Sequence, residues 1–296
     1  MPSTIHTKQG ALPLPLFVPQ LTLPLGERAV PYLHQLSYCV AIDPFTGGQL
    51  TPETLPALPR WVVPYQLQHV KWTPADGLSV RIEGQRLDRE GLLKFQVGCA
   101  DIGLTLGIPP GVEHPDIRLK RSCDNALWAV KQASGIPLLA TLPFTTIEGT
   151  YHAVQKLWAR GGFSGIALLL DDPLLSDLLP LVQQIRQRFD GTLHLCGLDE
   201  PTVWQPLFEA GVSSVSSSQW LDWAQQGRKF GVEGAIPSPS RDEKLHLALL
   251  NLSLATQLSL PLAMVANDFS TWLLRDEHFT SPTPIVQDNI LTPEAP

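Results

Sequence analysis

The sequence predicts a parallel α/β protein folded as a (β/α)8 barrel, and three observations carry the prediction. Thr192–Trp220 reads as one strand–loop–helix–strand unit. An apolar run at Leu193–Cys196 stops at a Gly-Leu-Asp-Glu-Pro turn, a helical stretch follows, and Gly211-Val212 opens a second short apolar, Ser-rich run. Helical and apolar β-like segments then alternate steadily from Arg89 to Ile236, the pattern of strands joined by crossover helices. The length of 296 residues suits one large domain or two ordinary ones, and 44% hydrophobic residues with a mean hydropathy of +0.04 describe a globular chain with a sizeable core.

The elements follow in order. Gly10–Pro19, GALPLPLFVP, gives a short apolar strand between prolines, and Val30–Ile42 supplies a helix leading into a strand at Tyr38–Ile42. Trp61–Leu67 is apolar and β-like. Leu78–Leu87 alternates around a Glu-Gly turn and reads as a hairpin inserted into the barrel. A helix at Arg89–Val97 precedes a strand at Asp101–Leu106. Arg118–Ser134 has helical spacing, with Leu119, Cys123, Leu127 and Val130 on one face. Pro137–Leu142 is a strand, Ile147–Arg160 a helix and Ser164–Leu170 a strand. Leu174–Phe189 is a helix that turns Leu178, Leu181, Val182 and Ile185 inward. Beyond Trp220, helices are expected at Trp220–Gly227, Glu243–Leu258 and Val265–Arg275. Residues 1–275 therefore read as one barrel domain with an inserted hairpin near 78–87, and 276–296 as a polar, Pro-rich, loosely held tail.

Charge and composition bound the partners. A net charge of −7 gives no support to an extended phosphate-binding surface, although Arg118–Arg121 and Arg228-Lys229 are local basic patches, so tRNA or DNA remains open as a partner. The opening residues MPSTIHTKQG lack a basic stretch followed by an apolar one, and no apolar run approaches a membrane span, so the expectation is a cytoplasmic protein with no membrane partner. Cys39, Cys99, Cys123 and Cys196 are widely separated and are expected to be buried free thiols. The 28 prolines are dense at Pro13–Pro31 and Pro52–Pro64, which predicts irregular backbone there.

In a barrel of this kind, chemistry sits just past the C-terminal ends of the strands, here the loops at Gly197–Glu200 and Ser216–Ser218. Asp171, Asp172, Asp199 and Glu200 stand at strand ends and Asp101 at the start of its strand, so acid–base work or metal binding is one reading. The competing one is that Asp171-Asp172 and Asp199-Glu200 cap the helices that follow and that Asp101 packs structurally. His194 and Cys196 alternate along one strand; a soft-metal pair would need a third ligand, and a core histidine with its hydrogen bonds satisfied is the simpler expectation. Ser216-Ser217-Ser218 has no nearby base in sequence and reads as a polar loop. Arg118, Lys120 and Arg121 read as a solvated helix face or a phosphate contact, and Trp204, Trp220 and Trp223 as packing.

Taken together, the order of these segments resembles the tRNA-guanine transglycosylases. Gly197-Leu198, Pro201 and Gly211-Val212 are similar to that family's G-V-G-x-P followed by G-V-D. Trp223–Ile236 is similar to its A-R-x-G…G segment, and Leu87–Pro110, with Gln96, Asp101-Ile102 and Pro109-Pro110, to its L-T-P-E…Q…L-G-x-D-I…L-D-x-x-P stretch. Ser122 and Trp128 fit the following helix, and Gly10–Pro19 resembles the opening G-x-x-x-T-P-x-F-x-P. The resemblance covers most of Gly10–Leu274 and implies a barrel of the transglycosylase type. It further implies the exchange of guanine in tRNA for a 7-deazaguanine such as queuine, and a homodimer or a heterodimer with a catalytic homologue.

Residue by residue, the resemblance also marks departures. The family's aspartate nucleophile falls on Ser216, and its second active-site aspartate on Gly107. Its base-binding segments fall near Pro64–Gln68, Leu142–Thr145 and Leu168–Leu170, which makes Gln68, Leu169 and Gly197 the ligand-binding candidates. The zinc cysteines have no counterpart in Pro237–Leu245 and the zinc histidine falls on Ala266, beside Asn267, so no metal or other cofactor is expected. Loss of a nucleophile from a catalytic set typically costs on the order of 10⁴–10⁶ in rate. The expectation is a protein of 7-deazaguanine or base-modification biology, of tRNA or DNA, without the standard exchange. Two rivals stand beside it: an enzyme whose Asp101, Asp171 or Asp199 has taken over catalysis, and a barrel that binds a small nucleobase-like molecule.

Overall fold

The structure, a computed structural model, describes residues 4–22, 24–42, 58–62, 72–76, 79–82, 85–108, 113–132, 135–170 and 175–259. The chain opens with a hairpin of β1 (Thr4–Thr7) and β2 (Gly10–Pro13), followed by β3 (Leu16–Pro19). α1 (Leu25–Ala29), a 3₁₀ turn and α2 (Leu33–Leu36) lead to β4 (Val40–Ile42), and β5 (Arg60–Val62) comes next. β6 (Trp72–Asp76), β7 (Ser79–Ile82) and β8 (Gln85–Asp88) form a separate antiparallel sheet. The remaining elements alternate: α3 (Arg89–Cys99), β9 (Gly103–Leu104), α4 (Pro115–Lys131), β10 (Leu138–Pro143), α5 (Ile147–Arg160), β11 (Gly165–Leu169), α6 (Leu175–Arg186), β12 (Thr192–Cys196), α7 (Trp204–Ala210), β13 (Ser214–Ser217), α8 (Gln219–Gln225) and α9 (Arg241–Ser259).

The central sheet has six parallel strands in the order β3-β13-β12-β11-β10-β9, curled into part of a barrel and flanked by helices. β4 and β5 pair in parallel with each other. Single parallel bridges tie them to both edges of the central sheet, Gln20 to Ala41 beyond β3 and Trp61 to Ile102 before β9.

Side-chain alternation divides the sheet into two walls. Outward residues such as Ile166, Leu168, Leu193, Leu195 and Val215 join the larger core under the helices. That core receives Leu178, Leu181, Val182 and Ile185 from α6 and Ala153, Val154 and Leu157 from α5, as the helical periodicity predicts. α5 runs over the predicted residues because Thr146 caps it, its Oγ1 accepting from Gly149 N at 3.1 Å, and Gly161 ends it at φ +70°. Inward residues, among them Leu16, Val18, Ala41, Trp61, Leu104, Leu139, Ala167, Leu169 and Cys196, make a second core, to which the opening hairpin adds Ile5 and Leu12.

Several boundaries differ from expectation. Gly10–Pro19 is two strands in two sheets rather than one, since Pro13 and Pro15 offer no N–H to continue a ladder. The strand expected at Asp101–Leu106 narrows to Gly103–Leu104. There the Gln96 amide replaces a neighbouring strand, accepting from Leu104 N and donating to Leu104 O at 3.0 Å. α4 begins at Pro115 rather than Arg118, with proline at its first turn. The expected hairpin is present as β7 and β8, while β6 and α1 were not anticipated. The helix expected at Val265–Arg275 and the tail at 276–296 lie outside the described residues.

Candidate functional site

The inner wall of β12 and β13 carries the polar cluster closest to the expected site. Period-two alternation turns His194, Cys196, Ser214 and Ser216 inward, and the register sets His194 beside Ser214 and Cys196 beside Ser216. His194 Nδ1 lies 2.8 Å from Ser214 Oγ, and its Nε2 lies 3.1 Å from Ser216 Oγ. Gln20 Nε2 donates to Ser216 Oγ at 3.2 Å. The Trp61 ring packs against the imidazole with centroids 4.8 Å apart. All six side chains are buried, and Ser216 and His194 are both 0% exposed.

Burial sets the chemistry of this cluster. It pushes the His194 imidazole down to about 3, since a charged ring would lose its hydration there. It pushes the Cys196 thiol up to about 12, a rise that the Ser216 hydrogen bond only partly offsets. A neutral imidazole has one donor and one acceptor, and two serine hydroxyls satisfy both in either tautomer. An imidazole held neutral this far down is a weak base for activating Ser216, and a fully buried hydroxyl offers no approach to a substrate. His194 is the satisfied core histidine that its strand position suggests.

At the strand ends, Leu169 points inward in one row with Cys196, Ser216 and Val18, whereas Leu168 and Leu170 point outward into the helix-covered core. Leu169, 1% exposed, therefore fills the level of Ser216. Gly197 follows at φ +82°, a conformation that favours glycine, and its N–H donates to Ser216 O at 3.3 Å. Asp199 Oδ1 accepts from Ser217 Oγ at 3.0 Å, and Ser218 Oγ donates to Asp222 Oδ2 at 2.8 Å. Glu200 caps the next turn, its Oε1 accepting from Thr202 N at 3.4 Å and from Thr202 Oγ1 at 3.0 Å.

The other candidates are dispersed. Gly107 is buried in the segment after β9, which α4 holds through Ser122 Oγ, accepting from Ile108 N at 2.8 Å, and Asn125 Nδ2, donating to Leu106 O at 3.0 Å. Asp101 sits before β9, where its Oδ2 accepts from Gln9 Nε2 at 3.1 Å and Arg60 N at 2.9 Å. In a parallel barrel that is the end devoted to stability, and the structure does not bring Asp101 and Asp199 together. Gln68 and Asp171, with Asp172, lie outside the described residues.

Arg118 corrects one expectation: it is 6% exposed and belongs to the buried side of α4, while Lys120 is exposed and Arg121 pairs with Glu113 at 2.8 Å. Trp204, Trp220 and Trp223 are packing residues, Trp204 stacking on Phe17 at 4.8 Å. All four cysteines are free thiols, Cys99 half-buried and the others buried. Among the described residues no three His, Cys, Asp or Glu side chains cluster to hold a metal ion, and 237–245 contains no cysteine for zinc. No described helix is long and apolar enough to cross a membrane. Sequence reasoning missed Gln20 and Trp61, which reach the cluster from strands distant in the chain and carry no local signal.

Compared with known proteins, the chain matches no family model and no curated protein sequence.

Proposed function

We propose that this chain is a transglycosylase-like (β/α)8 barrel that serves base-modification biology as a non-catalytic or partner subunit. For the barrel, the support is that the six central strands and the two of β4–β5 are all parallel, together eight, with a bridge at each junction between the two sheets. For the lost chemistry, one observation carries the reading. Ser216, which the resemblance sets at the family's nucleophile position, is a fully buried neutral hydroxyl in one row with Cys196 and Leu169, engaged by His194 and Gln20. Retaining base exchange needs a carboxylate there, both to hold the ribosyl carbon and to stabilise the oxocarbenium-like transition state. A neutral serine supplies no such charge, and its described partners His194, Gln20 and Cys196 are neutral too.

The test is incorporation of labelled guanine or a 7-deazaguanine into bulk tRNA by the purified chain, beside an active transglycosylase and with tRNA binding followed in parallel. No incorporation above background is the expected result. Incorporation that Asp199→Asn abolishes in a still-folded protein would replace this reading with the rearranged-carboxylate enzyme.

A further inference from the structure

One row nearer the strand N-termini than Ser216, the inner wall reads Thr141, Ala167, His194, Ser214 and Leu16 across β10, β11, β12, β13 and β3. Three of these five residues are polar, and all five are buried. His194 is satisfied by Ser214 on one ring nitrogen and by Ser216 on the other. Thr141 is different: its backbone N donates to Thr105 Oγ1 at 2.9 Å, but its own Oγ1 has no hydrogen-bond partner among the described residues. Trp61 Nε1 is in the same position, buried and without a partner among the described residues. Both side chains are 0% exposed. Trp61 belongs to the inner core together with Leu139 and Ala167, the neighbours of Thr141 along its own strand and on β11, and its ring lies against His194. Ala167 gives the row its smallest side chain, set between Thr141 and His194.

A buried indole N–H or hydroxyl in a native core nearly always has a partner, and two orphans facing one interior call for a shared explanation. The chemistry of the pair defines what fits. An indole N–H only donates, and a threonine hydroxyl donates or accepts, so the occupant must present an acceptor. The row contains no charged group, and an ion would find nothing there to replace its hydration, so the occupant is uncharged. We propose that the barrel interior between Trp61 and Thr141 is a binding site for a small uncharged hydrogen-bonding molecule, either water or a small neutral carbonyl compound. The site is separate from the loops past the strand ends and does not depend on whether Ser216 has lost catalysis.

The experiment compares the 296-residue chain with Thr141→Val, which keeps the shape of the side chain and removes only the hydroxyl. If an occupant bonds to Thr141, the valine variant strands it and the thermal midpoint falls by several degrees. If the hydroxyl has no partner, removing it relieves a buried orphan and the midpoint stays level or rises, which would overturn the proposal. The second readout uses the wild-type protein, so it stands even if the variant folds poorly. In NMR, the Trp61 indole proton should show cross-relaxation to a long-lived bound water or to a nonexchanging ligand. A water signal identifies a structural water. A ligand signal, matched by a small neutral molecule released on denaturation and seen by mass spectrometry, identifies a metabolite site. An indole proton with neither signal contradicts the proposal.

Discussion

The outer face of β12 and β13 presents Leu193, Leu195 and Val215 to the helices, whereas the inner face of the same strands presents His194, Cys196, Ser214 and Ser216 to the barrel interior. The outer wall is aliphatic, and its packing is the non-directional burial that gives most of a domain its stability. On the inner wall the hydroxyl and ring nitrogen groups meet at set distances, and the cluster as a whole is neutral. Two faces of one strand, two residues apart in period, thus do different work. The outer face holds the fold together, and the inner face fills the barrel interior with a neutral hydrogen-bonded cluster.

Truncation on the outer wall should have the largest effect. Leu195→Ala removes a fully buried side chain from the larger core and should cost about 2–5 kcal/mol by chemical denaturation. A loss below about 1 kcal/mol would break the claim that this wall supplies the stability. Ser214→Ala sharpens the contrast from the inner side. It leaves His194 Nδ1 buried without its 2.8 Å partner and should cost about 1–3 kcal/mol, with the unfolding slope unchanged. An unchanged stability would mean that the inner hydrogen bonds are replaced by water at no cost, and so that the interior is wet.

The outer wall was legible in the sequence and the inner wall was not. Helical spacing in 174–189 and 147–160 and the apolar runs at 164–170 and 193–196 placed α5, α6, β11 and β12 within a few residues, because burial of an amphipathic face is written locally. His194 and Ser216 were visible as positions, but their partners Gln20 and Trp61 lie on β3's end and β5, joined only by folding. The direction of Leu169 also depended on strand register, which decides whether a leucine fills the interior or the helix layer. Short strands failed for the opposite reason: β9 pairs with β10 over only two residues, and on its other side the Gln96 side chain, not a strand, satisfies Leu104, a substitution that no periodicity reveals.

The neutral interior has a consequence for pH. Burial lowers the His194 pKa in the folded chain from 6.5 to about 3, so the unfolded chain binds a proton that the folded chain refuses. Stability from this residue is fully present above pH 6.5 and is lost as pH falls through the window from there to about 3, at about 1.4 kcal/mol per pH unit where the difference is a full proton.

The most direct measurement is an NMR titration of the His194 ring in the folded protein from pH 8 to pH 4. A closed, neutral interior predicts ring shifts that stay constant over the range, with no midpoint near 6.5. A His194 midpoint near 6.5 would show that bulk water reaches the row of His194 and Ser214, and would contradict the closed interior on which the proposed loss of exchange chemistry rests.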